Sequence, residues 1–340
     1  MKKVELVPGY WISPVIKGGW QLSSGHSLSS VISERDAISD ITTFIEAGIS
    51  TLDFGDIYTG VEVLVGKALK QFGRRDQVQL HTKYVPNEKF LDSYDRSDAR
   101  TIVCRSLERL GVSQVDLVQF HWWRYEAHHY LAALEELFLL KEEGLIGEVG
   151  ITNFDLPRLV EMVGAGFKPA SIQLQYSILD RRPEEGMIDY CVNQGIGVLC
   201  YGTVAGGFLS ERFLNVAEPS TYETRSNVKY KLIIDDFGGW QLFQELLECL
   251  ATIAAHHEVD IGTISSAYTL SQHGVKGVIV GARNVSHLQN NLKIPKVALA
   301  QSEIAAIVGI LSRSTGPTGQ VYDLERYNER HRNIMHTNNN

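Results

Sequence analysis

The chain has 340 residues, 44% hydrophobic and 21% charged, so it can bury a large core as one big domain or two ordinary ones, and we expect order over most of it. Its 32 basic and 40 acidic residues give a net charge of -8, which supplies no general attraction for nucleic acid or anionic membranes. Two N-terminal lysines precede no long apolar stretch, so we expect no signal peptide and no membrane anchor. We therefore expect a cytoplasmic protein.

The residues that could bind a metal do not form a recognisable ligand set. The four cysteines are widely spaced and lack a C-x-x-C pair: Cys104, Cys191, Cys200 and Cys249. Their apolar neighbours are typical of reduced, buried thiols. Histidines 128–129 and 256–257 are adjacent pairs, and neighbouring side chains on a helix or strand point apart. We therefore expect no metal site.

Short β-rich runs alternate with amphipathic helical stretches along the chain. The predicted strands cover residues 15–20, 50–54, 78–83, 115–121, 148–152, 171–175, 197–201 and 277–281. Helical apolar spacing closed by a glycine marks segments 34–48, 98–111, 130–144 and 183–195. Strand and helix repeated eight times predict an α/β fold, a single-domain closed parallel (β/α)8 TIM barrel.

The end of the chain differs in composition from the rest. The segment STGPTGQ at 314–320 precedes a polar tail, so we predict a barrel over 1–313 and a C-terminal extension over 314–340. The long segment 211–239 follows the seventh strand, and we predict a loop over the cofactor or substrate. Its Arg225, Lys229 and Lys231 are candidate contacts for a pyrophosphate group.

Polar and apolar residues alternate within several predicted strands. Because alternate residues face opposite sides of a strand and the helices must cover the apolar side, one polar set points into the barrel: Lys83, Gln119, His121, Gln173 and Gln175. The strand ends surround the barrel mouth, where barrel enzymes keep their chemistry. These end positions are Trp20, Asp53, Lys83, His121, Asn153, Gln175, Tyr201 and Gly281.

Four residues at or just beyond strand ends predict a proton-donating site: Asp53, Tyr58, Lys83 and His121. A tyrosine hydroxyl with a pKa near about 10 is too weak an acid at neutral pH unless a cation lies beside it. Lys83 would be that cation, and Asp53 would keep it charged and oriented. His121 would polarise the oxygen that the tyrosine protonates.

Eight motifs at consecutive strand ends resemble those of the aldo-keto reductase family, in the family's order and over nearly the whole domain. They are GGW (18–20), LDFGDIYTGVE (52–62), HTK (81–83), QFHW (119–122), GITNF (150–154), QLQYS (173–177), CYGTVAGGFL (200–209) and VGARNVSHLQNNL (280–292). The resemblance implies an NADP-dependent carbonyl reductase with Asp53, Tyr58, Lys83 and His121 as its catalytic tetrad. It implies that His121 donates a hydrogen bond to the carbonyl while Tyr58 protonates it.

The resemblance also implies the cofactor-binding residues. Asn153 and Gln175 match positions that hold the nicotinamide carboxamide, and Tyr201 matches the aromatic on which the ring stacks. Phosphates would lie near Gly281 and the start of the following helix. The other cofactor-binding positions are Gly19, Trp20, Asp53, Thr152, Gly202, Gly206, Leu209, Arg283, His287, Asn290 and Asn291.

The cofactor motifs depart from the family pattern at four positions. His287 replaces a common glutamine, Asn290 the usual glutamate, Thr203 a common proline and Gly19 a frequent threonine. Arg283 remains, and its guanidinium would bind the adenosine 2′-phosphate through a charge-assisted pair. The resemblance therefore favours NADP (NADPH) over NAD.

Four aromatic residues beside the mouth predict an apolar substrate pocket: Trp20, Tyr84, Trp122 and Trp123. Such a pocket suits aryl aldehydes or the apolar face of a sugar, so the expected partner is a small carbonyl or alcohol compound. Two other functions stay open. One is a cofactor-binding regulatory subunit with little turnover, and the other is a phosphate-dependent barrel isomerase. The sequence leaves the physiological substrate, the direction and the oligomeric state open.

Overall fold

The computed structural model of the protein describes residues 1–23, 33–222, 224–282 and 284–334. The strands in these ranges are β1 (Val4–Val7), β2 (Tyr10–Ile12), β3 (Val15–Gly18), β4 (Thr51–Asp53), β5 (Gln79–Tyr84), β6 (Val115–Phe120), β7 (Ile146–Thr152), β8 (Ser171–Gln175), β9 (Gly197–Tyr201) and β10 (Val275–Gly281). The α-helices are α1 (Glu34–Glu46), α2 (Val61–Phe72), α3 (Ser97–Leu110), α4 (Tyr130–Glu142), α5 (Leu156–Gly164), α6 (Met187–Gln194), α7 (Arg225–Phe237), α8 (Gly239–His256), α9 (Ile261–Leu270), α10 (Leu288–Asn291), α11 (Gln301–Leu311), α12 (Asp323–Tyr327) and α13 (Glu329–Arg332).

Strands β3 to β10 form a closed parallel barrel in which each strand pairs with the next along the chain and β10 pairs with β3. Helices α1 to α6 and α9 connect successive strands on the outside of the barrel, as parallel pairing requires. This architecture confirms the predicted single-domain (β/α)8 TIM barrel. We call the end where the strands finish the mouth.

Alternation within the strands determines which side chains enter the barrel. In β6, Val118 and Phe120 are completely buried against the helical layer, whereas Gln119 points inside. Gln173 of β8 also points inside, which confirms the predicted parity. Local signals set the helix ends: the Asp155 side chain caps the start of α5, and Gly111 ends α3 with a φ of 66° that a glycine adopts without strain.

An N-terminal hairpin, which the sequence analysis did not predict, lies at the opposite end from the mouth. Strands β1 and β2 pair antiparallel, and Leu6 and Ile12 pack with Ile16 inside the barrel. The Tyr10 hydroxyl hydrogen-bonds Nε2 of His81 at 2.8 Å. The hairpin therefore fills this end of the barrel and leaves the mouth as the side where polar groups gather.

The segment 211–239 is not the loop that the sequence analysis predicted. It contains a 3-10 turn at Glu211–Phe213 and the helix α7, whose first turn is capped by the Thr224 hydroxyl. A second core lies among α7, α8, α9 and α11, where Ile233, Phe243 and Ile307 are fully buried. Packing of this apolar helical face outweighs the polar sequence at the start of the segment.

The C-terminal segment returns across the mouth as far as the structure describes it. The amide of Thr315 donates to the carbonyl of Phe237 at 3.0 Å, and Val321 and Tyr322 are both buried.

Within the described ranges, no single helix is long and apolar enough to cross a membrane. The helical stretches Val285–Lys296 and Gln301–Leu311 pass such a test only together, as a pair bent by 108°. The expectation of buried thiols is wrong for Cys104, which is exposed.

Candidate active site

The centre of the mouth is the carboxylate of Asp53, at the end of β4. Its Oδ1 accepts a hydrogen bond from Nζ of Lys83 at 2.5 Å. Its Oδ2 accepts from Nε2 of Gln119 and from Nε2 of Gln173, both at 2.7 Å. The pairing of β5 with β6 sets Lys83 opposite Gln119, so neighbouring strands deliver these donors to one carboxylate inside the barrel.

Lys83 is held as a buried cation beside Tyr58. Its Nζ also donates to the carbonyl of Phe54 at 2.8 Å and lies 5.1 Å from the centroid of the Tyr58 ring. Burial disfavours the ammonium, but the Asp53 carboxylate and the Tyr58 side chain together outweigh this effect and raise the pKa of Lys83 above its usual value. Lys83 is therefore charged at neutral pH.

The net effect on Tyr58 differs from the expected one. Burial raises the pKa of Tyr58, and the positive charge of Lys83 opposes this effect without cancelling it. Lys83 therefore lowers the pKa of Tyr58 as expected, but the pKa is raised overall. Tyr58 keeps its proton at neutral pH, which is the state that a proton donor requires.

His121 lies at the mouth with its Nε2 buried and without a partner among the described residues. Its Nδ1 lies 3.2 Å from the backbone carbonyl oxygen of Thr152. Burial, with a smaller contribution from the positive charge of Arg326, lowers the pKa of His121 to about 3. The ring is neutral at pH 7. The hydrogen bond from His121 to the carbonyl, which the resemblance implies, stays a prediction.

Asn153 follows the end of β7, and Gln175 is the last residue of the neighbouring β8. The side-chain amide of Asn153 is fixed through its oxygen, and that of Gln175 is fixed through its nitrogen. Oδ1 of Asn153 accepts from the Tyr201 hydroxyl at 2.8 Å, which leaves Nδ2 as a donor. Nε2 of Gln175 donates to Oδ2 of Asp180 at 2.6 Å, which leaves Oε1 as a buried acceptor with no partner among the described residues. One donor and one acceptor complement a carboxamide group.

Two of the four predicted pocket aromatics lie at the mouth. The Trp20 ring is 5.0 Å from the Tyr58 ring, and the Trp123 ring meets His121 edge-on at 4.4 Å. The amide of Gly19 donates to the carbonyl of Asp53 at 2.7 Å and so positions Trp20. An added Cβ at Gly19 would lie 2.9 Å from Cγ1 of Val61, so the threonine frequent in the family would crowd this turn.

Tyr84 and Trp122 have packing roles behind the strands instead of lining the pocket. The Tyr84 hydroxyl donates to Asp98 of α3 at 2.8 Å, and its ring stacks on Phe120. Trp122 donates to the carbonyl of Ala127 at 2.9 Å, and neither side chain has exposed surface. Parity is the reason, because Tyr84 follows the inward-facing Lys83 and must therefore face outward.

Tyr322 is a third aromatic residue at the mouth, beside Trp20 and Trp123, and the sequence analysis missed it. Its buried ring meets His121 edge-on at 5.6 Å, and its φ of 66° is strained for a tyrosine. Arg326 secures this segment by donating to the carbonyls of Trp122 and Asn153, both at 2.8 Å. The sequence did contain a signal for a buried segment here, because VYDLERY (321–327) places apolar and aromatic residues inside an otherwise polar tail.

Helix α7 supplies one of the three expected basic contacts to the mouth. Nζ of Lys229 lies 5.4 Å from the Tyr201 ring centroid. Lys231 is buried and paired with Glu218 and Asp235, both at 2.5 Å, so it is not available to a pyrophosphate. Arg225 is the first residue of the helix.

The glycine-rich loop after β9 packs against α7. An added Cβ at Gly202 would lie 2.3 Å from the Tyr230 hydroxyl, and one at Gly206 would lie 2.8 Å from its ring. Both glycines have positive φ, of 79° and 63°. Leu209 is fully buried in the helical core below. The protein's own Tyr230 therefore accounts for these two glycines.

A largely buried ion network ties the C-terminal segment to Gln175. Arg182 donates to Asp180 at 2.9 and 2.7 Å, and to Oε2 of Glu325 at 3.3 Å. Lys229 approaches Oε1 of Glu325 at 3.2 Å. Burial alone would raise the pKa of Glu325, but Lys229 and Arg182 outweigh it and hold this pKa at about 2.

The loop after β10 is the expected phosphate site, and its central residue, Arg283, lies outside the described residues. At Gly281 an added Cβ would lie 2.1 Å from Nε2 of Gln21, the end of a flexible side chain that would have to move aside. Lys17, a residue that the sequence analysis missed, donates to the carbonyl of Ala282 at 3.0 Å. Burial lowers the pKa of Lys17 to about 8.

A carboxylate lies among the expected cofactor-binding residues that follow β10. Oδ2 of Asp260 accepts from Nδ2 of Asn290 at 2.6 Å and lies 4.0 Å from Nδ1 of His287. The other oxygen, Oδ1, caps α9 by accepting from the amide of Thr263 at 2.8 Å. Nδ2 of Asn291 is a buried donor with no partner among the described residues.

One histidine pair converges, contrary to the sequence argument. Nδ1 of His256 and Nε2 of His257 lie 2.8 and 2.9 Å from oxygens of Glu303. They converge because His257 caps the end of α8 and no longer follows helical geometry. Glu303 also accepts from the amide of Ala300 at 2.8 Å, so this carboxylate caps the start of α11 as well.

The closed parallel barrel and the ionisable groups at its mouth place the protein among the enzyme-like (β/α)8 barrels. The profile of the Aldo/keto reductase family matches residues 14–312, and the chain belongs to this family. It is 25% identical to the NADH-specific methylglyoxal reductase of Escherichia coli (strain K12), over 89% of this chain and 96% of that protein. It is 30% identical to the uncharacterized oxidoreductase YqkF of Bacillus subtilis (strain 168), over 81% and 87%.

Solved structures share the fold. A thermostable aldo-keto reductase in complex with the inhibitor epalrestat superposes with a TM-score of 0.73 at 25% identity, covering 91% of this chain and 100% of that one. The glycerol dehydrogenase AKR11B4 of Gluconobacter oxydans gives a TM-score of 0.78 at 20% identity, covering 93% and 97%. An aldo/keto reductase of Klebsiella pneumoniae in complex with NADP and acetate gives 0.72 at 18% identity, covering 94% and 98%.

The buried ion network predicts a pH-dependent effect of Glu325→Gln. Because the folded-state pKa of Glu325 lies below its ordinary value of 4.5, the network stabilises the fold above about pH 4.5 and loses this effect as the pH falls towards about 2. We expect the substitution to lower the free energy of unfolding by about 3 kcal/mol at pH 7, because it leaves buried cations without their partner.

Urea unfolding of both proteins at pH 7, 5 and 4 measures this difference, which we expect to shrink at the lowest pH. Glu329→Gln, at an exposed carboxylate in the same segment, is the control and should change stability by less than about 0.5 kcal/mol. An equal, small effect of both substitutions would contradict the importance of the network.

Proposed function

We propose that the protein is a nicotinamide-dependent oxidoreductase that reduces an aldehyde or ketone to an alcohol, or catalyses the reverse. The observation that carries this proposal is the buried Lys83 ammonium, paired with Asp53 and adjacent to the protonated Tyr58. Membership of the aldo/keto reductase family supports it. A small carbonyl or alcohol substrate and a cytoplasmic location belong to the same proposal.

The residues at the mouth fit a nicotinamide. Nδ2 of Asn153 would donate to the oxygen of its carboxamide, and Oε1 of Gln175 would accept from the nitrogen. The amide orientations that this requires are already held by Tyr201 and Asp180. When bound, the nicotinamide supplies the hydride for reduction of the carbonyl carbon.

In this proposal Tyr58 donates its proton to the carbonyl oxygen as negative charge develops there. The Lys83 cation stabilises the tyrosinate that remains, and Asp53 keeps Lys83 charged and in place. Because three strands hold the Asp53 carboxylate, these groups need little reorganisation during the reaction. Trp20 and Trp123 exclude water from the same space and so strengthen these charge interactions.

For the cofactor, we propose NAD(H) rather than the NADP(H) favoured by the sequence analysis. The NADP argument depends on Arg283, whereas Asp260 places a carboxylate beside Asn290 and His287. A carboxylate repels a 2′-phosphate and accepts hydrogen bonds from ribose hydroxyls. The name of the Escherichia coli relative, NADH-specific methylglyoxal reductase, supports this choice.

The test of the proton donor is Tyr58→Phe. Loss of the hydroxyl should lower kcat for a panel of small aldehydes by about 100-fold or more, because general acid catalysis is removed. Cofactor affinity should not change, since the ring remains. Turnover is followed by nicotinamide absorbance and binding by cofactor fluorescence.

Tyr190→Phe, on α6, is the matched control and should retain full activity. Full activity of Tyr58→Phe would contradict the proposed proton donor. Tight cofactor binding with no turnover of any aldehyde by the unmodified protein would instead favour the regulatory-subunit alternative.

The test of cofactor choice is Asp260→Asn. Asparagine can still cap α9 through its oxygen, so the variant removes the charge and keeps the helix cap, while it gives up the hydrogen bond that Asp260 accepts from Asn290. We expect the ratio of kcat/KM for NADPH to that for NADH to rise about tenfold, which corresponds to roughly 1.4 kcal/mol of lost repulsion. Glu248→Gln, at an exposed acid on α8, should leave the ratio unchanged. An unchanged ratio in Asp260→Asn would rule out this role for the carboxylate.

A further inference from the structure

Two adjacent histidines at the end of α8 and a glutamate near the start of α11 converge on the outside of the barrel. We call His256, His257 and Glu303 the His–Glu cluster. Their three ligand atoms lie within 4.8 Å of one another, and this is the one such group of three among the described residues. None of its members belongs to the proposed catalytic or cofactor-binding set.

One carboxylate oxygen of the cluster faces both imidazoles. Oε1 of Glu303 lies 2.8 Å from Nδ1 of His256 and 3.1 Å from Nε2 of His257. The ring centroids are 5.3 Å apart with an interplanar angle of 67°, so the two nitrogens reach this oxygen from different directions. An oxygen shared by two convergent nitrogens is the arrangement of a facial three-ligand metal site.

The backbone on the histidine side holds this arrangement. Helix α8 ends at His256, and His257 follows as its C-cap with φ of -90° and ψ of 0°. Glu258 then takes a φ of 53°, and its carbonyl accepts from Nζ of Lys293 at 2.9 Å. The turn that brings the two rings together is therefore fixed by contacts outside the cluster.

The carboxylate is held independently of the histidines. Oε2 of Glu303 accepts from the amide of Ala300 at 2.8 Å, which leaves Oε1 to face the imidazoles. The Glu303 side chain is 11% exposed, whereas that of His256 is 76% exposed. An ion from solution would meet a positioned oxygen ligand and an open route of entry.

Two imidazoles and one carboxylate are a ligand set that suits Zn²⁺. With bonds of about 2.0–2.1 Å, the ligand atoms of a tetrahedral zinc site lie about 3.3 Å from one another. The observed nitrogen–oxygen distances of 2.8 and 3.1 Å fall short of this spacing by about 0.5 Å or less. Small side-chain shifts therefore make room for the ion. Mg²⁺ and Ca²⁺ prefer sites made of oxygen ligands.

We propose that the His–Glu cluster binds one Zn²⁺ ion through Nδ1 of His256, Nε2 of His257 and Oε1 of Glu303, with water completing the coordination. The ion joins the end of α8 to the start of α11. Because these ligands are brought together only in the folded chain, zinc binding stabilises the fold. This role goes beyond the proposed oxidoreductase function and does not depend on it.

The test is calorimetric titration of the untagged, metal-free protein with Zn²⁺. We expect one ion per chain, and affinity about tenfold lower or more in Glu303→Gln and in His256→Ala. Glutamine can still accept from the Ala300 amide, so the helix cap is kept, and His256 is exposed enough to be replaced without disturbing the core. Mg²⁺ should not bind at this site.

Two controls address other zinc ligands on the surface. The combined variant His128→Ala and His129→Ala removes an exposed adjacent pair outside the cluster, and Cys104→Ser removes an exposed thiol. Both should bind zinc as tightly as the unmodified protein. Absence of stoichiometric binding, unchanged affinity in Glu303→Gln and His256→Ala, or equal loss in a control would overturn the proposal.

Thermal unfolding gives a second readout. At a zinc concentration about a hundredfold above Kd, we expect Tm of the unmodified protein to rise by about 3 °C or more, and excess EDTA should reverse the rise. Glu303→Gln should show no rise at the same concentration. An equal rise in both proteins would overturn the proposal, whereas a failure to reduce any aldehyde would contradict only the proposed function.

Discussion

The rest of the site depends on the carboxylate of Asp53 inside the barrel. A buried ammonium is costly unless it is paired and hydrogen-bonded, and Asp53 provides that pairing for Lys83. Gln119 and Gln173 occupy the other oxygen, so the carboxylate cannot turn away. One anion thus makes the cation beside Tyr58 possible and determines its position, because the donors come from separate strands of a rigid barrel.

A second constraint comes from the last part of the chain. Arg326 binds backbone carbonyls just beyond the ends of β6 and β7, and Glu325 joins the buried pair of Arg182 and Asp180. Asp180 in turn holds the amide of Gln175. The packing of the C-terminal segment and the orientation of a proposed cofactor contact are therefore parts of one network.

Sequence patterns predicted the barrel well because a strand's periodicity is a local property. The alternation of side chains along a strand was enough to predict that Gln119 and Gln173 point into the barrel. The same rule, extended from Lys83 to the next residue of its strand, predicts that Tyr84 points outward. Tyr322 could not be placed in this way, because its position depends on contacts between segments about 200 residues apart, such as the 204-residue separation of Arg326 and Trp122. The contact of His121 Nδ1 with the Thr152 carbonyl depends on a neighbouring strand, which no side-chain pattern encodes.

The most direct test of this account is a double-mutant cycle on the rate of hydride transfer at saturating cofactor, with Asp53→Asn, Tyr58→Phe and the two combined. If Asp53 acts through Lys83 on Tyr58, each single substitution should slow the step by about 100-fold or more, and the combination should be no slower than Tyr58→Phe alone. Losses that multiply in the double variant, or an Asp53→Asn protein with an unchanged rate, would contradict the claim that Asp53 organises the proton donor.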